Sequence, residues 1–158
     1  MSKFQIKYIE STDYNDEKYI GAVLDEKMIG FLRFKVIDRK PWLYFVGVKK
    51  DYRHLKEEQV GSNLLKIFEN YCAARNLWGL EGKYWPEGEK ESVVRKFYER
   101  NGFKIEREDY DIIVYKSQPI KNNLSVEVEN VDFEKFDRLL QEYLEKDKNE
   151  DEHEQEKE

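Results

Sequence analysis

The chain has 158 residues, 39% of them hydrophobic and 15% aromatic, which suits one domain of ordinary size with a real core. No run approaches the roughly 18–20 consecutive apolar residues of a membrane span, and Met1-Ser2-Lys3-Phe4-Gln5 leads straight into strand-like alternation, so neither a membrane anchor nor a signal peptide is expected. The net charge of −6 speaks against a nucleic-acid partner. Much of it is local: residues 147–158 hold seven acids and two lysines, leaving a nearly neutral body in which a basic patch for an anionic ligand has room. The single cysteine, Cys72, cannot form an internal disulfide, so a cytoplasmic location is the default.

In chain order, residues 4–10 alternate as a first strand, and the polar stretch 11–17 turns the chain. Tyr19–Leu24 reads as a second strand, Asp25-Glu26-Lys27 as a hairpin-like turn and Met28–Val36 as a third strand. Asp38-Arg39-Lys40-Pro41 turns again into Trp42–Val48, an almost unbroken apolar run of the kind covered on both faces. The period then changes. Val60, Leu64, Leu65, Phe68, Tyr71 and Cys72 recur at three-and-four spacing and predict a helix over 60–75, in which Cys72 is expected buried and inert. A short strand near 79–84, a helix over 89–100 with Val93, Val94 and Phe97 on one face, and strands near 103–108 and 111–117 follow. The result is an α+β fold: a mixed, mostly antiparallel sheet of about seven strands with a central β-α-β crossover.

Beyond Ser117 lie a linker over 118–123, Val126-Glu127-Val128 as a candidate further short strand, and a helix with Asp132 as its N-cap. Phe133, Phe136, Leu139, Leu140, Tyr143 and Leu144 form its apolar stripe, which must dock on its own domain or on a partner subunit in a homodimer. Residues 147–158 hold no apolar side chain to offset ordering entropy and are expected to be a disordered acidic tail.

Three local patterns carry the chemistry. Phe97-Tyr98-Glu99-Arg100-Asn101-Gly102-Phe103 reads as a last helical turn, a glycine stop and the start of a strand. Val48-Lys49-Lys50-Asp51-Tyr52-Arg53 ends the fourth strand, and Gln59-Val60-Gly61-Ser62-Asn63-Leu64-Leu65 opens the first helix. A loop entering a helix N-terminus offers unpaired N–H groups to an anion, glycine lets the backbone come close, and Arg53, Lys49, Lys50 and Lys56 stand just before it. Taken one at a time, these lysines are solvated surface groups.

In order and placement these segments resemble the GNAT superfamily of N-acetyltransferases over residues 42–117; before 42 only the strand pattern matches, and the part after 117 has no counterpart in the minimal family fold. The resemblance implies a GNAT-like domain over 1–117, with 118–146 as an extension carrying the amphipathic helix. It implies acetyl-CoA as co-substrate, no metal, and an amine acceptor, small molecule or peptide, whose identity the sequence leaves open; no nucleic acid or membrane is a partner. In that reading Tyr98 is the general acid and Glu81 the candidate base, with a surface carboxylate or an ion pair as Glu81's other reading. Backbone N–H groups near Val46 and Val48 hold the pantetheine arm. Arg53, Gln59, Val60, Gly61, Ser62 and Asn63 form the pyrophosphate loop.

The chain also departs from the family. Counting back from Gly61 puts Lys56 at the loop's first position and Gln59 where its first glycine belongs; counting forward makes Arg53 the first position and lengthens the loop by three residues. Gln59 must then swing its amide outward or donate its NH2 to a phosphate oxygen, the donating role being favoured. Glu91 stands where the family often has an asparagine, and only the short segment 11–18 replaces the two helices that usually wall the acceptor site. The alternative reading is therefore a catalytically degenerate GNAT-like CoA-binding or protein-interaction module. His54 reads as a surface residue.

Overall fold

The computed structural model describes residues 5–52, 59–77, 79–84, 91–108, 111–116, 121, 124 and 126–156. The strands are β1 (Lys7–Thr12), β2 (Lys18–Leu24), β3 (Lys27–Ile37), β4 (Lys40–Val48), β5 (Leu80–Tyr84), β6 (Lys104–Glu108), β7 (Asp111–Lys116) and β8 (Val128–Asn130). The helices are α1 (Val60–Ala74), α2 (Glu91–Arg100) and α3 (Phe133–Glu156), and a 3-10 turn, Lys50–Tyr52, follows β4.

One sheet runs β6-β7-β5-β4-β3-β2-β1-β8. β4–β5 and β1–β8 are parallel, and the other neighbours antiparallel. The eighth strand comes from the C-terminal extension. Tyr8 pairs with Val128 and Glu10 with Asn130, and the Val131 N–H donates to the Glu10 carbonyl at 2.9 Å. The two hairpins among β2–β4 close through Asp25-Glu26 (φ 51° and 65°) and Asp38-Arg39 (φ 52° and 66°). Two positive φ values in succession match the right-handed twist of the flanking strands.

Neighbouring residues of the strands divide between two cores, as a two-residue period demands. Tyr8, Ile20, Leu32 and Phe34 meet Leu64, Leu65, Phe68 and Cys72 of α1, together with Tyr98 of α2. Ile9, Tyr19 and Phe31 face the other way and meet Phe136, Leu140 and Tyr143 of α3. The α3 stripe thus docks on its own chain, over β1–β3. Asp132 caps α3 as the sequence indicates, its Oδ1 accepting the Lys135 N–H at 2.8 Å. The α3 backbone stays helical through Glu156, past the boundary at 147 where disorder was expected. In α2 Tyr98 is buried and Val94 and Phe97 are half-buried against the same core; Val93, expected on the same face, is 55% exposed. Among the described residues no helix is long and apolar enough to cross a membrane.

Candidate active site

β4 and β5 hold together for only two rungs, Trp42 with Glu81 and Leu43 with Gly82. Gly82 permits the last of them, since a Cβ there would lie 2.8 Å from the Leu43 carbonyl oxygen. Directly afterwards Tyr44 is bulged out of the pairing with β3, the register shifting between Arg33 and Phe34. A bulge bends its strand, and Tyr44–Val48 run on without a rung to β5.

The N–H groups lining that opening follow from register. The Lys49 N–H donates to the Ile29 carbonyl at 2.9 Å, and Gly30 pairs with Val48. Antiparallel pairs alternate between bonded and non-bonded. Val46 and Val48 therefore direct their N–H groups away from β3, toward the side from which β5 has parted. These are the two N–H groups that the family resemblance assigns to a pantetheine arm.

α1 begins beyond the end of β4. Its N-cap, Gln59, has φ 44° and ψ 53°, the left-handed region, and makes no side-chain capping bond. A position that favours glycine thus holds glutamine in the conformation glycine would supply. The Asn63 N–H donates to the Gln59 carbonyl at 2.9 Å. That first helical bond removes Asn63 from the expected set of anion donors and leaves the N–H groups of Val60, Gly61 and Ser62 ahead of it, at the positive end of the helix. The Asn63 side chain has a different task, donating to the Tyr8 hydroxyl at 3.1 Å across to β1. Val60 fills the core at 3% exposed. Gly61 lies under α2: a Cβ there would stand 3.0 Å from the Phe97 ring and 3.6 Å from Val48. Arg53, His54 and Lys56 lie outside the described residues. Lys49 places its ammonium 5.0 Å from the centre of the Tyr143 ring.

Tyr98 is 6% exposed, flanked by Phe97 and Phe103 at ring-centroid distances of 5.3 and 5.9 Å. The corner after it is the glycine stop read from the sequence. Gly102 has φ 85°, the Phe103 N–H donates to the Tyr98 carbonyl at 3.0 Å, and the Gly102 N–H to Glu99 at 2.9 Å. This pair of bonds is a Schellman motif. Glu81 sits beside Trp42, and its carboxylate lies 2.6 Å from the Lys40 ammonium, which also stands 4.5 Å from the Trp42 ring centre. Its ion-pair partner is thus Lys40 on the neighbouring strand.

Sequence reasoning missed a buried pair. Glu69 of α1 and Lys116 of β7, 3% and 9% exposed, join at 2.8 Å. The signal was present, since Glu69 falls on the same apolar stripe as Leu65, Phe68 and Cys72. Cys72 itself is buried, its thiol pushed up to about 12 by burial and, secondarily, by the Glu69 carboxylate.

An opening between two parallel strands thus has main-chain donors along its β4 wall and a helix N-terminus beyond the end of that strand. The profile of the acetyltransferase (GNAT) domain matches residues 15–105. The chain belongs to the GNAT acetyltransferase family. It is 32% identical over 101 residues to a spermidine N(1)-acetyltransferase of Thermoplasma acidophilum, covering 64% of this chain and 59% of that protein. The crystal structure of the PaiA N-acetyltransferase of the same organism, in complex with coenzyme A, superimposes with a TM-score of 0.54 at 30% identity, over 63% of this chain and 59% of that one. An acetyltransferase from Streptococcus agalactiae gives 0.54 at 25% identity, over 64% and 66%. The chain spans 59% of the length of the curated relative it matches.

Proposed function

We propose that the chain transfers an acetyl group from acetyl-CoA to an amine, and that the acceptor is an aliphatic polyamine. The observation that carries the first part is the parting of β4 from β5 after the Leu43–Gly82 rung, with α1 starting at the end of the opening. The N–H groups of Val46 and Val48 would hold the pantetheine arm, and aimed donors of this kind stabilise charge on a carbonyl oxygen. The N–H groups of Val60, Gly61 and Ser62 would take the pyrophosphate. The amine nitrogen bonds to the acetyl carbon as the carbon–sulfur bond breaks. The departing thiolate takes the Tyr98 phenolic proton, and the amine's surplus proton passes to Glu81 directly or through water. Alignment of both substrates in one opening supplies much of the rate.

The polyamine acceptor rests on the relative's name, spermidine N(1)-acetyltransferase. The degenerate reading is disfavoured by Gln59, whose backbone keeps the left-handed conformation the loop needs despite its side chain. Free-thiol release from acetyl-CoA with spermidine, spermine or putrescine tests the proposal. Saturable, amine-dependent release is expected. Release no faster than the acceptor-free rate at millimolar amine would refute the polyamine acceptor.

A further inference from the structure

The buried ion pair outside the opening bears on the residue the reaction needs most. Lys116 Nζ donates to Glu69 Oε1 at 2.8 Å, to Glu69 Oε2 at 2.9 Å and to the Asn101 carbonyl at 2.9 Å. An ammonium has three N–H donors, and the three acceptors match them. The same Nζ stands 4.8 Å from the Phe103 ring centre. Asn101 is held from other sides too: its Nδ2 donates to the Phe97 carbonyl at 2.8 Å and to Ser62 Oγ at 3.2 Å. Both ends of the corner return to Tyr98, whose carbonyl accepts the N–H of Asn101 at 3.1 Å and of Phe103 at 3.0 Å. The corner that carries Tyr98 is therefore tied to α1 through Glu69 and Ser62, and to β7 through Lys116.

Stability alone is a weak reason for such a pair. Desolvating two charges costs about what their attraction returns, and well-packed apolar residues of similar volume often serve as well. An apolar pair could fill the space between α1 and β7, but it could not hold the Asn101 carbonyl. The third N–H of Lys116 is the feature that packing would not replace.

We propose that Lys116 and Glu69 are positioning residues, a buried ion pair that grips the Asn101 carbonyl and thereby sets the place of Tyr98 at the end of α2. The catalytic consequence rests on the reading of Tyr98 as general acid; the anchoring of the corner does not. A misplacement of about 1 Å in a reacting group can cost on the order of 10²-fold in rate, so the pair acts on turnover without touching substrate.

The test is the double variant Glu69→Leu/Lys116→Met in the full chain, followed by amide hydrogen exchange, coenzyme A binding and steady-state kinetics. The expected result is a melting temperature near wild type and unchanged coenzyme A affinity. Exchange should be faster by on the order of 10-fold at the amides of Asn101, Gly102 and Phe103, with protection kept at Ala22 and Leu32. Turnover should fall by on the order of 10-fold or more, with KM for acetyl-CoA unchanged. On a Tyr98→Phe background the same double change should cost little further turnover, because both act through one group. Wild-type exchange at Phe103, or an equal loss of turnover on both backgrounds, would overturn the proposal. If Tyr98→Phe alone retains full turnover, the general-acid reading fails separately, and exchange at Phe103 still decides the anchoring. Should the double variant not fold, Lys116→Gln, which removes the ammonium that reaches the Asn101 carbonyl while leaving an amide to face Glu69, takes the same measurements with the same expected direction.

Discussion

Gly82 is pressed against Leu43 at the last rung between β4 and β5: a Cβ on Gly82 would stand 2.8 Å from the Leu43 carbonyl oxygen and 3.1 Å from its Cβ. This is the last rung before the strands part. Gly82→Ala must push them apart from the inside. Overpacking of this kind costs about 1–3 kcal/mol, and a wider rung also shifts the walls of the opening. Chemical denaturation should show the loss, accompanied by weaker coenzyme A binding. Wild-type stability and affinity in Gly82→Ala would show that the rung does not control the opening.

Tyr98→Phe keeps the ring that packs between Phe97 and Phe103 and removes only the proton. Turnover should fall by on the order of 10²-fold with coenzyme A affinity nearly unchanged, the pattern of an interaction made in the transition state. Steady-state kinetics beside a binding titration separate the two quantities. Unchanged turnover would return Tyr98 to a packing role.

The α3 helix closes the second core. Phe136 is fully buried at 0% exposed, and Phe136→Ala should cost about 3–5 kcal/mol. Truncation after Asn122 removes β8 and α3 together, uncovering Ile9, Tyr19, Met28 and Phe31. That chain should aggregate or change its state of association, whereas truncation after Lys146 should do neither. Size-exclusion chromatography with light scattering reads both. A soluble chain of unchanged association state ending at Asn122 would contradict the role given to α3.

Alkaline pH should weaken the fold. Burial, with a smaller contribution from Glu69, holds the Cys72 thiol at about 12 against an ordinary 9.0. Burial, then Asp13 and Glu17, holds the Tyr19 phenol at about 12 against 10.0. Between about pH 9 and 12 the unfolded chain has released these protons and the folded chain has not. The unfolded state binds fewer protons, so stability falls as pH rises through that window and is complete below it. Urea midpoints at about pH 8 and 11 should differ, and Cys72→Ala with Tyr19→Phe should reduce the difference. A difference of the same size in that variant would remove these two groups as its cause.

What was legible in the sequence had a local cause. Gly102 takes the positive φ that ends α2, and the N-cap at Asp132 needs only its own first turn. The strands from Lys18 to Val48 follow from alternation and turn chemistry. What was illegible depends on distant partners. The pairing of Tyr8 with Val128 makes the eighth strand, and nothing within Val128–Asn130 specifies β1 as its neighbour. Val93 and Val94 are equivalent by composition; only the packing of Phe97 over Gly61 selects Val94. Asn63 was expected to face an anion, but the N4 position of a helix bonds back to its own cap. Lys116 and Glu69 are 47 residues apart and meet only in three dimensions.

The most direct measurement is a calorimetric titration of coenzyme A into the wild-type chain and into Gln59→Gly. Gln59 holds a left-handed backbone at φ 44°, a strain of roughly 1 kcal/mol that glycine relieves. Saturable heat is expected from the wild type, and a loss of roughly tenfold in Gln59→Gly, about one charged hydrogen bond, if the Gln59 amide donates to a phosphate. Equal or tighter binding in Gln59→Gly would instead mean that the amide swings outward and glycine only relieves the backbone. If the wild type gives no heat at millimolar coenzyme A while Gln59→Gly binds, the natural loop is closed to the co-substrate, and acetyl transfer by this chain would have to be abandoned.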